Sequence, residues 1–179
     1  TSTMYYLEIF RLVDTFLFDF DGVLTSGLVH LMPSCQLLRS INVRVGFAML
    51  TAIDQGFRVG IISGGTTPGA QYRLGALGIK DIYLGVKDKW PVFQDYIEKY
   101  HLDPGQVLYM GDDLPDLRVM QRVGMACCPR DSVDEIRDIS SYISPKCGGQ
   151  GCVRDVIEKV LKLKGTWPGY PNVKPPVQS

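Results

Sequence analysis

Short apolar segments alternate with longer amphipathic segments along most of the chain. The short segments are rich in aliphatic and aromatic residues and end at glycine or aspartate, a pattern typical of buried β-strands. The strands predicted on this basis cover residues 15–20, 57–62, 81–84, 106–110 and 125–128. Between and after them, helices are predicted over residues 47–55, 68–77, 90–100, 114–123 and 152–164. Glycines such as Gly56 and Gly78 directly follow these helices, where a C-cap is expected.

Strands separated by single helices favour right-handed crossovers and a parallel sheet. We therefore predict an α/β fold of three layers, Rossmann-like, with a central, mainly parallel sheet. Residues 25–42 differ, because two apolar stretches flank Pro33 and Ser34 and predict a β-hairpin that projects beside the end of the first strand. Residues 1–167 are predicted to form one domain, and residues 168–179 a Pro-rich tail.

Composition limits the classes of partner. Nineteen basic and nineteen acidic residues give a formal net charge of zero, which does not favour binding to nucleic acid or to an acidic membrane surface. No apolar run reaches the length of a membrane helix, and the first residues have no basic segment before an apolar one. The five cysteines match no metal-binding spacing, so reduced thiols and a cytoplasmic protein are expected.

Two carboxylates follow the first predicted strand, in the segment from Asp19 to Thr25 that reads DFDGVLT. Asp and Gly are common where a strand enters a loop, so this motif alone would be weak. After four apolar residues it is much more specific. Asp19 can attack phosphorus as a nucleophile, and Asp21 can protonate the leaving alkoxide and then activate water.

A second acidic pair, Asp112 and Asp113, follows Gly111 at the end of the fourth predicted strand. Either Asp113 or Asp116 could instead cap the helix that begins near Leu114. However, paired acids at a buried strand end are costly unless a cation neutralises them. Because Mg²⁺ prefers hard oxygen ligands, these acids together with Asp19 and Asp21 predict a magnesium site.

The loop after the second predicted strand and a lysine further along predict a phosphate site. Ser63 and Gly64 open a glycine-rich turn before a helix, where a hydroxyl and backbone amides can bind phosphate oxygens. A phosphate among four carboxylates also requires a fixed positive charge. Lys87 and Lys89 both qualify, and Lys89 is preferred because it begins the next helix.

In chain order these residues resemble the four motifs of the haloacid dehalogenase superfamily. The matching residues are Asp19-x-Asp21-Gly-Val-x-Thr, then Ser63, then Lys89, then Gly111-Asp112-Asp113. The resemblance implies a phosphoaspartyl mechanism with Asp19 as nucleophile and Asp21 as general acid and then base. It implies that the phosphoryl oxygens are held by Ser63, Gly64 and Lys89. It also implies that Mg²⁺ is bound by Asp19, the backbone carbonyl of Asp21 and Asp112, with Asp113 supporting the metal's waters or Lys89.

A finer resemblance is to the capless branch of this superfamily that includes 3-deoxy-D-manno-octulosonate 8-phosphate (KDO 8-phosphate) phosphatase. It is carried by DGVLT, the hairpin that ends at Asn42-Val43-Arg44, GVKDK, MGDDLPD and the glycine-rich residues 148–154. The gaps between the motifs are too short for a cap domain with its own core. This resemblance implies a homotetramer acting on a phosphorylated sugar acid, with Arg44 and Arg154 contacting substrate or a neighbouring subunit.

Three positions depart from the pattern of that branch. Ser26 and Val45 stand where an aspartate is usual, and Gly65 stands where many members have arginine. These departures leave the identity of the sugar acid open, and a nine-carbon ulosonate 9-phosphate of the KDN or sialic acid type is the alternative substrate. A non-catalytic module associated with sugar-nucleotide synthesis is a further alternative, but the complete set of motif residues disfavours it. A response-regulator receiver is disfavoured because such domains lack an acid at the position of Asp21.

Overall fold

The fold is described from a computed structural model in which residues 3–170 are placed, with the side chains of Thr3 and Met4 excluded. The part of the predicted tail formed by residues 171–179 therefore lies outside the described residues. Six parallel strands form one sheet in the order β5-β4-β1-β6-β7-β8, and β2 and β3 form a separate antiparallel pair. The strands are β1 Thr15–Phe18, β2 His30–Leu31, β3 Leu37–Leu38, β4 Arg58–Ile62, β5 Asp81–Tyr83, β6 Val107–Met110, β7 Met125–Cys128 and β8 Tyr142–Ile143.

Seven α-helices are found in the described part of the chain. They are α1 Thr3–Leu12, α2 Val43–Asp54, α3 Pro68–Ala76, α4 Lys89–Tyr100, α5 Leu117–Met120, α6 Asp134–Ile139 and α7 Cys152–Leu163. The predicted α/β fold is confirmed, and each of the five predicted strands is found with ends shifted by at most two residues. The first strand stops at Phe18 rather than at residue 20, because the chain turns at Asp21 and Gly22, and the amide of Thr25 closes this loop on the carbonyl of Phe20.

Three elements were not predicted, namely α1, α6 and β8. The last two are only six and two residues long, so they are too short for a periodic pattern to develop. The helix predicted over residues 114–123 is instead a 3₁₀ turn at Leu114–Asp116 followed by the single turn of α5. Helix α2 begins four residues earlier than predicted, because the side chain of Asn42 accepts a hydrogen bond from the amide of Arg44 and caps it.

The central sheet is covered by helices on both faces, which makes the three layers. Strand β1 is buried along its whole length, and its side chains point alternately to the two faces. Phe16 and Phe18 join one apolar cluster with residues of α2 and α7, whereas Leu17 joins a second cluster with Phe93 of α4. Because β1 lies in the middle of the sheet, the residues that follow it are held by packing on both sides.

The hairpin predicted over residues 25–42 is confirmed. His30 pairs with Leu38, and Leu31 pairs with Leu37. The turn is closed by the amide of Cys35, which donates to the carbonyl of Met32 at 2.9 Å. Within residues 3–170, no helix combines the length and the apolar character that crossing a membrane requires.

Candidate active site

The loop after β1 has an unusual backbone conformation at Gly22. The amide of Asp19 donates to the carbonyl of Met110 at the end of β6, so the loop starts beside that strand. Gly22 has φ +83°, and a Cβ on it would lie 1.9 Å from Oδ2 of Asp112. A side chain here would be both strained and in collision with a carboxylate. Glycine therefore allows the two acidic loops, after β1 and after β6, to approach each other closely.

Lys89 connects the nucleophile candidate to a third aspartate. Its Nζ lies 2.9 Å from Oδ1 of Asp19 and 2.7 Å from Oδ1 of Asp116. Burial acts to lower the pKa of Lys89, but the charges of Asp116 and Asp19 outweigh it, and the pKa is raised above its ordinary value. The ammonium group therefore stays charged in the wall of the site. This agrees with the fixed positive charge that the sequence analysis expected from Lys89.

Asp116 is the site residue that the sequence analysis considered only as a helix cap. It is fully buried. Its Oδ1 also accepts a hydrogen bond from the hydroxyl of Tyr109 at 2.6 Å, and its Oδ2 accepts the amide of Asp112 at 3.1 Å. Side chains alternate between the two faces of the sheet along β6, and Tyr109 faces the α4 side. Because a buried tyrosine hydroxyl usually has a hydrogen-bond partner, Tyr109 is the sequence signal that could have indicated Asp116.

Asp113 lies at the rim of the site and caps the 3₁₀ turn. Its Oδ1 accepts the amide of Leu114 at 2.7 Å, in a capping box with Asp116. The carboxylate that contacts Lys89 is Asp116 rather than Asp113. Of the two supporting roles expected for Asp113, contact with Lys89 is thus not seen, and contact with a metal's waters stays a prediction.

Three carboxylates converge where a cation would be expected. Oxygen atoms of Asp19, Asp112 and Asp116 lie within 4.8 Å of one another. Burial, followed by the charge of Asp116, raises the pKa of Asp112 to about 6. Burial also raises the pKa of Asp19 well above its ordinary value, and Asp116 adds to this effect. A divalent cation would relieve this crowding of negative charge, so the donor set fits Mg²⁺. Because Lys89, Tyr109 and a backbone amide already engage Asp116, Asp19 and Asp112 are the better candidates for direct ligands.

The predicted phosphate loop lies at the carboxyl end of β4, next to β1 in the sheet. Ser63 is buried, and its amide donates to the carbonyl of Tyr83 at 2.8 Å. The amide of Gly65 lies 3.3 Å from Oγ of Ser63. Helix α3 starts only at Pro68, so Gly64 and Gly65 form an extended loop whose backbone can approach a ligand.

These loops surround a cavity of about 500 Å³, a volume suited to a small molecule. Because the strands are parallel, their carboxyl ends meet at one edge of the sheet, and the cavity opens there. Its wall includes the predicted site residues from three strand ends and from the start of α4. The lining residues are Asp19, Asp21, Gly22, Gly27, Ser63, Gly64, Gly65, Val86, Lys87, Lys89, Asp112, Asp113, Pro115 and Asp116.

Asp21 forms an ion pair with Arg39 that was not predicted. Nε of Arg39 lies 2.6 Å from Oδ1 of Asp21, and Nη2 lies 3.1 Å from Oδ2. Nη1 of the same guanidinium donates to Oγ1 of Thr67 at 2.8 Å. Arg39 belongs to the hairpin segment, eighteen residues along the chain from Asp21. No local spacing rule links these two positions, which is why the sequence analysis missed Arg39.

Arg44 and Arg154 are not brought to this cavity. The guanidinium of Arg154 packs over the rings of Phe47 and Trp167, at 5.7 and 5.4 Å from their centroids. Its Nη1 lies 3.5 Å from the backbone carbonyl of Arg44, whose own side chain is exposed. Neither arginine lines the cavity, and contact with a substrate stays a prediction for both. A role at a neighbouring subunit stays a prediction.

The glycine-rich segment of residues 148–151 supports the loop after β1 from behind. The amide of Gly149 donates to the carbonyl of Val23 at 3.1 Å, and a Cβ on Gly148 would lie 2.1 Å from the carbonyl oxygen of Gly22. Glycine is needed at position 148 because the two backbones touch. The segment thus helps to hold Asp19 and Asp21 in place within its own chain.

The chain is similar in sequence and in fold to known phosphatases. The chain is 34% identical over 147 residues to a KDO 8-phosphate phosphatase of Escherichia coli K12, covering 82% of this chain and 78% of that protein. The crystal structure of such a phosphatase from Yersinia pestis superposes with a TM-score of 0.86 at 29% identity, covering 88% of this chain and 85% of that one. The phosphatase from Moraxella catarrhalis, solved with a magnesium ion, a phosphate ion and KDO, gives a TM-score of 0.87 at 27% identity, with 90% and 93% covered. No protein-family model matches the chain.

Proposed function

Because the chain belongs to the KDO 8-phosphate phosphatase family of the haloacid dehalogenase superfamily, we propose that it converts KDO 8-phosphate to KDO and phosphate. The observation that carries this proposal is the joint contact of Lys89 with Asp19 and Asp116 beside Asp112. This arrangement places a nucleophile, a fixed cation and a metal-binding acid in one cavity. A non-catalytic role would not require the three together.

In the first step that we propose, Asp19 attacks the phosphorus atom. The amide of Phe20 and Nζ of Lys89 both contact Oδ1 of Asp19, so we assign the attack to Oδ2. The bond from phosphorus to the ester oxygen breaks as the bond to Oδ2 forms. Asp21 supplies the proton that the leaving alkoxide needs. The sugar acid then leaves, and the phosphoryl group remains on Asp19.

In the second step, water attacks the phosphoryl group on Asp19. Asp21 takes one proton of this water, and the bond from phosphorus to Oδ2 of Asp19 breaks. Inorganic phosphate leaves, and both carboxyl groups return to their starting states. We assign the binding of the negative oxygens throughout to Ser63, Gly64 and Lys89, which all line the cavity.

We assign the acidic cluster to Mg²⁺, with direct ligands from Asp19, Asp112 and the backbone carbonyl of Asp21. When bound, the ion would offset the negative charge of the phosphate and of the carboxylates around it. The rise in the pKa of Asp112 to about 6 supports this assignment, because it reports a carboxylate crowded by burial and by like charge.

The proposal is tested by measuring phosphate release from KDO 8-phosphate in the presence of Mg²⁺. Asp19→Asn should show no turnover above background, whereas Asp54→Asn, on the exposed end of α2, should match the wild type. A parallel assay with nine-carbon ulosonate 9-phosphates decides between the two candidate substrates. Higher kcat/KM for a nine-carbon substrate would replace the KDO assignment. Absence of hydrolysis with all of these substrates would contradict the enzymatic role.

We also propose that the working enzyme is a homotetramer in which the hairpins pack together. On the hairpin segment, Leu28 and Leu31 are 77% and 78% exposed, and Leu37 and Leu38 of strand β3 are 43% and 48% exposed. Val43, at the start of α2, is 74% exposed. The pair β2–β3 has only two residues in each strand, which is marginal for a hairpin alone in water. A second copy of the same surface would cover these side chains, and closed symmetry satisfies every copy equally.

We infer a cytoplasmic location from the thiols. All five cysteines, which lie within the described residues, are free, and Cys127, Cys128 and Cys152 are buried. Free thiols are typical of proteins in a reducing compartment. Fractionation of cells of the source organism, with detection by antibody, tests this inference.

A further inference from the structure

The hairpin places one guanidinium group directly at the general acid–base of the site. Arg39 contacts both oxygens of Asp21, at 2.6 and 3.1 Å, and its side chain is only 8% exposed. Thr67 accepts a further hydrogen bond from Nη1. A two-point contact of this kind is the geometry in which arginine binds a carboxylate most specifically. The site thus already contains a group shaped to hold a carboxylate.

The space for this guanidinium exists because position 65 carries no side chain. A Cβ on Gly65 would lie 2.9 Å from Oδ2 of Asp21 and 3.3 Å from Nη2 of Arg39. Any larger residue would press on both partners of the ion pair. Gly65 and Arg39 are therefore matched in shape, although they lie on different loops.

The chemistry of the proposed reaction locates Arg39 relative to the substrate. Asp21 must reach the ester oxygen of the leaving group to protonate it. Whatever carries that oxygen must pass beside Asp21, and so beside Arg39. Lys89, the other buried cation of the site, contacts Asp19 and Asp116 and therefore belongs to the phosphate side. Arg39 is thus the cation on the leaving-group side.

We propose that Arg39 is a specificity-determining residue that binds the anionic end of a carboxylate-bearing leaving group, with Asp21 as its partner in the substrate-free enzyme. The inference rests on the proposed phosphatase function and adds the residue that selects the acid. When such a substrate enters, its carboxylate takes over the guanidinium from Asp21. The carboxylate of Asp21 is then released, takes up a proton from solvent water and delivers it to the ester oxygen. A neutral sugar phosphate offers no such exchange and leaves the ion pair closed.

Lys87 lines the cavity directly, whereas Arg39 is connected to it through Asp21. The structure nevertheless favours Arg39 for this role. Lys87 is exposed and offers a single point charge on a flexible chain. Arg39 is held by Asp21 and Thr67 before substrate arrives, so little side-chain entropy remains to be lost on binding.

The test compares two substrates, KDO 8-phosphate and D-mannose 6-phosphate, which carries no carboxylate. The measured quantity is the ratio of their kcat/KM values, with Mg²⁺ present. Arg39→Met should lower this ratio about 10- to 100-fold, the range expected when a charged hydrogen-bond donor is lost. Arg39→Lys keeps the charge without the two-point geometry and should lower the ratio by less. Arg122→Met, an exposed arginine away from the cavity, should leave it unchanged.

An unchanged ratio in Arg39→Met, including an equal loss with both substrates, would overturn the assignment. If that variant does not fold, as judged by circular dichroism, the decision passes to Arg39→Lys, whose unchanged ratio would overturn the assignment in the same way. The proposed function fails in a different manner, because the wild type itself would then hydrolyse KDO 8-phosphate either not at all or with a lower kcat/KM than a nine-carbon ulosonate 9-phosphate. The two failures are therefore distinguishable in one set of assays.

Discussion

Oδ1 of Asp116 lies 2.7 Å from Nζ of Lys89, and neither side chain is more than 4% exposed. Asp116 is not among the residues that would touch substrate first, yet it holds the lysine that reaches Asp19. Oδ1 of Asp116 also accepts a hydrogen bond from the hydroxyl of Tyr109. Removing one partner would leave a buried charge without full compensation, which is among the more damaging changes available to a protein interior.

We expect Asp116→Asn to lower the free energy of unfolding by about 3 kcal/mol, because Lys89 would keep only Asp19 as a charged partner. Tyr109→Phe removes one hydrogen bond and should cost about 1 kcal/mol. Urea unfolding of the two variants checks the order. A smaller loss in Asp116→Asn than in Tyr109→Phe would contradict the role given to the ion pair.

Asp19→Asn should abolish turnover and leave the fold intact. The amide is close in size to the carboxylate but far less nucleophilic. Burial already raises the pKa of Asp19, and Lys89 keeps Asp116 as a charged partner, so this variant should lose less stability than Asp116→Asn. Phosphate release and a thermal melt on the same preparation check both statements. A fully active purified variant would remove Asp19 from the mechanism.

Chelation with EDTA and the substitution Asp112→Ala should both stop hydrolysis, for different reasons. Added Mg²⁺ should restore the chelated wild type and should not restore the variant, because Asp112 is one of the assigned ligands. Calorimetric titration with Mg²⁺ gives a second readout, in which Asp112→Ala should bind at least about tenfold more weakly. Undiminished activity of the wild type in EDTA would refute the metal assignment.

Gly22→Ala should inactivate the enzyme, and Gly56→Ala provides a matched control. Both glycines have positive φ, +83° and +87°, so alanine adds similar backbone strain of about 1 kcal/mol at each. Only at Gly22 does the added Cβ meet a site residue, Asp112, while nothing lies within 4 Å at Gly56. Loss of activity in both variants alike would show that strain rather than the collision is responsible.

Light scattering at working concentration should give the mass of a tetramer. Leu31→Asp, which places a charge on the exposed apolar hairpin, should shift the protein to smaller species, because burying the charge between copies is unfavourable. Tyr72→Asp changes another side chain that is 81% exposed, and it should not alter the mass. A stable, fully active wild-type monomer would contradict the proposed assembly.

The order of the strands and of the acidic loops could be predicted from the sequence, because it depends on local patterns. Apolar runs that end at Asp19, Ser63 and Gly111 mark strand ends, and parallel strands bring such ends to one edge. The nucleophile candidate, the phosphate loop and the acidic pair could all be predicted in this way. The choice of Lys89 over Lys87 as the lysine that reaches Asp19 also agrees with the geometry.

Other contacts depend on how distant segments pack, and no pattern along the chain specifies them. Asp113 and Asp116 are both plausible partners for Lys89, but Asp116, the last residue of the 3₁₀ turn, is buried, whereas Asp113 is exposed. Arg39 reaches Asp21 only because the hairpin folds back and Gly65 leaves room. Arg154 is drawn to the rings of Phe47 and Trp167 instead of to the cavity. The positions of these side chains depend on contacts between segments that are far apart in the sequence. Such contacts form only when the core packs, so spacing along the chain does not predict them.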